Sequence, residues 1–335
     1  MHYVKLGSTG LDVSRICLGC MSFGAPGSDH GVFPWAVDFE EAKPIFQQAI
    51  ELGINYFDTS NQYQYGTSEE VTGKLIRHFG LNRDEIVVAT KVRFDMRIGR
   101  PNGGGLSRKE IFSEIKASLK RLNMDYVDLY QIHRPDLNTP FEETMEALHD
   151  VVKAGYARYI GASTMYAWQF QKMQNIAECH NWTRFVSMQN QYNLMYREEE
   201  REMIPYCRSE KIGLVPWSPL AGGRLAHPLG TVTKRNQIDT ISPMVWDHAK
   251  HLDEPVITNL QKMAQERGVS MAQEALAWVL SKPFITAPIV GTTKPEHVQE
   301  AVAALDIVLS DDEMTALEAP YQPHNVIDDH GFLMF

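Results

Sequence analysis

From residue 54 onward, short apolar runs alternate with longer stretches in which apolar residues recur at helical spacing. This alternation indicates repeated strand and helix units, which build a parallel sheet covered by helices. The predicted strands are 16–19, 54–57, 86–90, 127–132, 159–162, 185–189, 214–216 and 286–290. Eight strands with a helix after nearly every one predict a (β/α)8 barrel, the TIM-barrel architecture.

The segments between the strands carry apolar residues at i, i+3 and i+4, so each can lay one helical face on the sheet. Helices are expected at 40–52, 107–122, 141–154, 167–179, 197–210 and 296–304. With 335 residues, the chain exceeds a usual barrel by about 85 residues. The surplus is expected in an N-terminal hairpin of 4–6 and 13–15 that could close the barrel floor, in long loops at 92–106 and 217–254, in a helical pair at 255–281 and in a tail at 305–335.

The two long loops follow the third and seventh strands, on the carboxyl side where barrel enzymes carry their active sites. No linker or low-complexity tract interrupts the sequence, which predicts a single domain over 1–335. A doubly wound dinucleotide fold is the competing architecture. It is disfavoured because no Gly-x-Gly-x-x-Gly follows an early strand.

Charge and cysteine content argue against several classes of partner. The net charge is −10 and no basic cluster stands against it, so nucleic acid and anionic membranes are not expected partners. The N-terminus lacks a signal-peptide pattern and no apolar run approaches the roughly 20 residues of a membrane span, which predicts a soluble, cytoplasmic protein. Cys17 and Cys20 form a Cys-x-x-Cys without a second pair, so no metal site is predicted.

Four ionisable residues lie at or just beyond the ends of predicted strands. Asp58, Lys91 and His133 each follow one of three successive strands, and Tyr63 lies five residues beyond Asp58. Because neighbouring strands are about 4.8 Å apart, these side chains can converge at the barrel mouth.

The four residue types suit carbonyl reduction. A buried lysine needs a carboxylate partner, so Lys91 and Asp58 are expected to pair as ions. The cation should then lower the pKa of Tyr63 and make it a general acid for the carbonyl oxygen, which His133 can hydrogen-bond. Each residue also has an ordinary explanation: a structural ion pair, a satisfied surface histidine or a loop-packing tyrosine.

Several segments resemble the aldo-keto reductase family, nearly from end to end. They are Leu6-Gly7-Ser8-Thr9-Gly10, Phe57-Asp58-Thr59-Ser60 with Tyr63, Thr90-Lys91-Val92, Gln131-Ile132-His133-Arg134, Gly161-Ala162-Ser163-Thr164, Gln189-Asn190-Gln191-Tyr192-Asn193 and Pro216-Trp217-Ser218-Pro219-Leu220. The resemblance implies a catalytic tetrad of Asp58, Tyr63, Lys91 and His133. It also implies that NADP(H) is bound without a Rossmann fold.

By the same resemblance, Ser163, Thr164 and Gln189 would contact the nicotinamide carboxamide and Trp217 would stack on the ring. Anion contacts would come from loops after the seventh and eighth strands. The full set of implied cofactor residues is Gly19, Met21, Ser163, Thr164, Gln189, Trp217, Ser218, Leu220, Gly222, Arg224, Gly291, Thr292, Thr293, Lys294, His297 and Glu300.

Three positions depart from the family pattern. Thr164 stands where many relatives have Asn, and Ala301 follows Glu300 where an Asn commonly reaches the adenine. Gly291 and His297 occupy positions that are basic in some relatives, so Lys294 is expected to supply charge for a 2′-phosphate. NADP(H) is therefore favoured over NAD(H).

Substrate is expected against Met21, Trp35 and Phe94, with parts of loop 217–254 and the aromatic tail 332–335. Two other functions are open: a nucleotide-binding redox sensor with very slow turnover, and a lyase or aldolase in which Lys91 forms a Schiff base. The sequence does not decide the oligomeric state.

Overall fold

Short runs rich in β-branched and aromatic residues form the strands of this chain, whose computed structural model describes residues 1–25 and 33–326. In chain order the strands are β1 (Tyr3–Lys5), β2 (Asp12–Ser14), β3 (Cys17–Gly19), β4 (Tyr56–Asp58), β5 (Val87–Val92), β6 (Val127–Ile132), β7 (Ala157–Ser163), β8 (Phe185–Gln189), β9 (Gly213–Leu214) and β10 (Ile289–Gly291).

Helices follow most of the strands, and several begin directly after a capping residue. The side chains of Asp38, Ser107, Ser270 and Ser310 each accept a backbone N–H in the first turn of the helix that they precede. The helices are α1 (Phe39–Glu51), α2 (Thr67–His78), α3 (Arg108–Leu122), α4 (Phe141–Lys153), α5 (Ala167–Cys179), α6 (Met203–Ser209), α7 (Lys234–Ile238), α8 (Ile241–Trp246), α9 (Lys250–Arg267), α10 (Met271–Ser281), α11 (Pro295–Ala303) and α12 (Asp311–Glu318).

Strands β3 to β10 form one parallel sheet in the order β10-β3-β4-β5-β6-β7-β8-β9. The sheet closes on itself through hydrogen bonds from Thr286 N to Leu214 O and from Ile289 N to Pro216 O, both 2.9 Å long. The predicted (β/α)8 barrel is confirmed. The predicted hairpin is present as the antiparallel pair β1 and β2.

The barrel has two separate apolar cores, because successive strand residues face opposite sides of the sheet. The outer core lies between sheet and helices and includes Phe57, Val88 and Tyr130. The inner core fills the barrel with residues of the alternate positions, and Leu6 and Val13 of the hairpin belong to it. The hairpin therefore covers the floor of the barrel, as predicted.

Proline explains where predicted elements were too long. Of the run 286–290, only Ile289 and Val290 lie in β10, because Pro288 has no N–H to donate; Thr286 joins the sheet through its separate bond to Leu214. The predicted helix 197–210 is reduced to α6, which has Pro205 in its first turn, and a single 3₁₀ turn at Glu198–Glu200.

Other predictions missed helices. Residues 217–254 were expected as loop but contain α7 and α8, and the tail contains α12. Helix α2 was missed altogether, although Glu69 and Glu70 in its first turn and Arg77 in its last complement the helix dipole. Within 1–25 and 33–326, no helix is both long and apolar enough to cross a membrane.

Candidate active site

The carboxyl ends of the strands carry polar residues on the inner face of the barrel. Along β4 the inner core residue Tyr56 is followed two positions later by Asp58, and along β5 Ala89 is followed by Lys91. Gln131 of β6 lies opposite Lys91 in the strand register. The period of two that fills the barrel with apolar side chains thus places a buried acid and a buried base at its mouth.

Lys91 is the centre of this polar group. Its Nζ pairs with Asp58 Oδ1, donates to the Thr59 carbonyl oxygen at 2.8 Å and lies 3.2 Å from the Tyr63 hydroxyl. Neither Lys91 nor Asp58 is appreciably exposed to solvent. The predicted ion pair is present, and Tyr63 lies against it as expected.

The expectation of a lowered tyrosine pKa is wrong. Burial disfavours the phenolate and raises the pKa of Tyr63, and the nearby Asp58 carboxylate adds to this; the attraction of Lys91 offsets only part of it. Tyr63 therefore holds its proton throughout the neutral range. The attraction of the Lys91 cation can be expected from the sequence, whereas the cost of desolvation depends on the packing around Tyr63.

Lys91 also keeps its proton. Burial alone would lower the pKa of Lys91, but the Asp58 carboxylate and the Tyr63 oxygen outweigh burial and raise it. A protonated amine is not a nucleophile, so the geometry disfavours the Schiff-base alternative.

Asp58 has two amide partners besides lysine. Gln131 Nε2 donates to Asp58 Oδ2 at 3.0 Å, and Gln189 Nε2 donates to the same oxygen at 2.9 Å. Sequence reasoning missed the role of Gln131, although an amide side chain within the apolar strand β6 was a usable signal. Gly161 makes room for this amide, because a Cβ there would press on Gln131 and Ser187.

His133 lies beside Tyr63 and is electrically neutral. The two rings are 5.6 Å apart between centroids in an edge-to-face arrangement. Burial, with the cations Lys91, Arg134 and Arg93 nearby, holds the pKa of His133 well below its usual value. The structure therefore brings all four predicted tetrad residues together.

An apolar wall stands over Tyr63. Phe33, Trp35 and Tyr63 pack as one cluster with Met21 against it, and the Phe94 ring lies 5.0 Å from that of His133. Met21, Trp35 and Phe94, the predicted substrate residues, thus lie beside the tetrad, together with Phe33, which was not predicted. The predicted contact of the tail 332–335 lies outside the described residues.

The residues expected to hold the nicotinamide surround the ends of β7, β8 and β9. Ser163 Oγ donates to the Gln189 carbonyl oxygen at 2.8 Å, and Trp217 Nε1 donates to Thr164 Oγ1 at 2.9 Å. Thr164 has a left-handed backbone, φ 29°. Because Gln189 Nε2 donates to Asp58, the side-chain oxygen Oε1 of Gln189 is the atom of this amide that is left to accept from a ligand. Gly19 pairs with Asp58 in the sheet and with Gly291 on its other side.

The loop after β9 has donors suited to an anion. Ser218 and Gly222 adopt left-handed backbone conformations, at φ 55° and 64°, beside Leu220. Buried Ser242 Oγ and Arg224 Nε have no hydrogen-bond partner in the described chain, whereas Arg224 Nη2 pairs with Asp247 Oδ1 at 2.5 Å. Unsatisfied buried donors of this kind fit the phosphates of a dinucleotide.

The second anion segment leads from β10 into α11. Buried Thr292 Oγ1 accepts from Lys294 N at 3.0 Å and lies 3.0 Å from His297 Nδ1. Burial lowers the pKa of His297, so this imidazole is neutral. Thr293 and Lys294 are exposed, and Glu300 is partly so. Lys294 is therefore the cation at this helix start, and it is free to turn toward a ligand.

Comparison with known proteins agrees with this geometry. The pattern of the aldo/keto reductase family matches residues 15–322. Versiconal hemiacetal acetate reductase of Aspergillus parasiticus is 43% identical over 341 residues, covering 96% of this chain and 98% of the relative. Aldo-keto reductase dtxS3 of Metarhizium robertsii is 40% identical, covering 97% and 92%. A Schizosaccharomyces pombe chain provisionally named an aryl-alcohol dehydrogenase is 42% identical, covering 96% of both.

A parallel barrel with an acid, a base and a tyrosine at its mouth is an enzyme architecture, and the chain belongs to the aldo/keto reductase family. It is an oxidoreductase that interconverts a carbonyl and an alcohol.

Proposed function

We propose that this enzyme reduces an aldehyde or ketone to an alcohol with NADPH, and that Tyr63 donates the proton. The observation that carries the proposal is the contact of the Tyr63 hydroxyl with a lysine ammonium that is itself held by a buried carboxylate. When bound, the nicotinamide supplies the hydride equivalent to the carbonyl carbon. The chain's own residues protonate and hydrogen-bond the carbonyl oxygen of the substrate.

The proton moves from Tyr63 Oη to the carbonyl oxygen as that oxygen gains charge. Lys91 remains protonated and stabilises the phenolate that is left. Asp58 fixes Lys91 at this spot and balances its charge, while Gln131 and Gln189 hold the Asp58 carboxylate from the other side. Neutral His133 can hydrogen-bond the same oxygen without competing as a proton donor. The same groups serve the reverse oxidation.

The cofactor is assigned to residues whose chemistry suits its parts. Ser163 Oγ and the side-chain oxygen Oε1 of Gln189 suit the carboxamide, and Trp217 suits the nicotinamide ring. Ser242 Oγ and Arg224 Nε, which have no hydrogen-bond partner among the described residues, suit the pyrophosphate. NADPH is favoured over NADH because exposed Lys294, with the Thr292 and Thr293 hydroxyls beside it, suits a 2′-phosphate at the start of α11.

The substrate is proposed to be a small carbonyl compound with an aromatic or flat apolar body. Phe33, Trp35 and Phe94 present ring surfaces next to Tyr63 and His133. Flat rings pack well against such walls. One relative is named for a hemiacetal ester and another for aryl alcohols, which is consistent with this shape.

The test follows the near-ultraviolet absorbance of NADPH, and separately of NADH, with aromatic aldehydes, diketones and sugars. We expect turnover of aromatic aldehydes with NADPH, its loss in Tyr63→Phe, and a weaker NADPH preference in Lys294→Gln. Tight NADPH binding without turnover on any substrate would contradict the proposal and support a redox sensor. Turnover that survives in Tyr63→Phe would refute the role of Tyr63.

A further inference from the structure

Ser60 is a buried hydroxyl that the proposed chemistry does not use. It follows Asp58 by two residues and is completely inaccessible to solvent. Its Oγ lies 3.1 Å from His133 Nδ1, and the backbone N–H of Gln62 donates to it at 3.3 Å. Ser60 thus links the loop that carries Tyr63 to the histidine of a strand two places further round the barrel.

Two acceptors compete for the single Ser60 proton. Asn61 Nδ2 donates to Glu114 Oε2 at 3.0 Å, so the Asn61 amide is turned with Oδ1 toward Ser60 Oγ, 3.4 Å away. His133 Nδ1 is the nearer acceptor. A hydroxyl can donate only once, so its choice determines the position of the imidazole proton.

The two hydrogen-bonding choices of Ser60 place the imidazole proton of His133 on different nitrogens. If Ser60 donates to Nδ1, the one proton of neutral His133 is on Nε2, and Nε2 can donate to a carbonyl oxygen. If Ser60 donates to Asn61, the ring proton must lie on Nδ1 and donate to Ser60 Oγ. Nε2 then has only a lone pair, which would repel the carbonyl oxygen.

We propose that Ser60 is a positioning residue that donates its proton to His133 Nδ1 and thereby holds His133 in the tautomer that can donate from Nε2. Two observations carry this assignment: the contact to His133 Nδ1 is the shorter of the two, and the backbone N–H of Gln62 already occupies one lone pair of Ser60 Oγ. It deepens the proposed function and rests on the role given there to His133. Ser60 acts through His133 and touches neither substrate nor cofactor.

The direct test is nitrogen NMR of the imidazole in the unliganded protein, which needs no turnover. We expect the Nδ1 resonance of His133 to be that of an unprotonated nitrogen and Nε2 to be protonated. In Ser60→Ala and the near-isosteric Ser60→Cys, whose thiol is a weak donor, the two tautomers should mix. Ser68→Ala is the matched control, because it also removes a buried hydroxyl, one that bonds Thr59 and Cys20 rather than His133.

Kinetics give a second readout. Losing one hydrogen bond at the reacting oxygen should lower kcat/KM by about tenfold in Ser60→Ala, with NADPH affinity unchanged, and Ser60→Thr should restore it. A protonated Nδ1 in the wild type, or the same tautomer in wild type, Ser60→Ala and Ser60→Cys, would overturn the proposal. If no carbonyl is reduced but the tautomer depends on Ser60, the proposed function fails and this inference stands.

Discussion

Two buried charge networks of the barrel differ in function, although the adjacent β5 residues Thr90 and Lys91 contribute to one network each. Lys91 faces inward to the mouth network of Asp58, Tyr63, Lys91 and His133. Thr90 faces outward and donates to Glu69 Oε1 at 2.5 Å. Glu69 belongs to the helix network, which also contains Arg97, Glu110, Glu114 and Arg121.

The helix network joins α2, α3 and the loop after β5 mainly through ion pairs, with hydrogen bonds from Thr90 to Glu69 and from Asn61 to Glu114. Arg121 Nε pairs with Glu69 at 2.5 Å, and Arg97 pairs with Glu110 at 2.5 Å and with Glu114 at 3.2 Å. The mouth network differs because an ionisable phenol, that of Tyr63, and a neutral imidazole, that of His133, lie beside its ion pair, whereas the hydroxyl beside Glu69 is the aliphatic one of Thr90. Burial and pairing alone therefore do not identify a catalytic site; a transferable proton next to the charges does.

The largest effect is expected from Tyr63→Phe. Removing the proton donor should lower kcat about 10³-fold, within the range for general acids. The unfolding free energy should change by less than about 1.5 kcal/mol, because one hydrogen bond from Lys91 is lost. Steady-state kinetics and urea unfolding check this. A variant with more than a tenth of wild-type kcat would contradict it.

Two matched acid-to-amide substitutions, one in each network, test whether the mouth network and the helix network differ in function. Asp58→Asn leaves Lys91 buried without its counter-charge and should lower kcat about 10²-fold. Glu69→Gln should leave kcat within about twofold but lower the unfolding free energy by about 2 kcal/mol, because Arg121 loses its nearer carboxylate and keeps Glu114 at 3.6 Å. Each variant needs both kinetics and urea unfolding. If Glu69→Gln lost activity as Asp58→Asn does, the two networks would be one functional unit.

A smaller effect is expected from Glu199, which belongs to neither network. Burial raises the pKa of Glu199 to about 8, and the contacts with Asn190 and Arg134 only moderate this. Because the folded pKa lies above the unfolded value, ionising this acid costs stability as pH rises from 4.5 through 8.

Glu199→Gln removes that cost. Below pH 4.5 the melting temperatures of the variant and the wild type should differ little. The difference, variant above wild type, should increase between pH 4.5 and pH 8 and stay constant above pH 8. Thermal melts at several pH values measure this, with Glu70→Gln as an exposed control. A difference that does not change with pH would show that Glu199 ionises normally.

The sequence predicted the barrel because strand and helix periods are local signals, and it predicted the tetrad because strand ends converge in any barrel. The prolines at 288 and 205, where the predicted elements were too long, are local signals that the sequence already contains. Two things depended on long-range packing. The burial that raises the pKa of Tyr63 includes packing against Phe33 and Trp35, which lie elsewhere in the sequence. The partner of Ser60 is a histidine 73 residues away. The single-domain assignment over 1–335 stays a prediction.

The pH dependence of carbonyl reduction tests the central claim. The claim is that Tyr63, which burial keeps protonated, is the general acid. Tyr63 must be protonated to donate, and its pKa is raised above the ordinary value of about 10. The kcat for reduction should therefore show no decrease from deprotonation of Tyr63 up to pH 10, and should decrease only above it. In Tyr63→Phe this decrease should be absent. A fall centred between about pH 6 and 9 that Tyr63→Phe abolishes would contradict the account, because the phenol would then be activated by Lys91 rather than held neutral by burial.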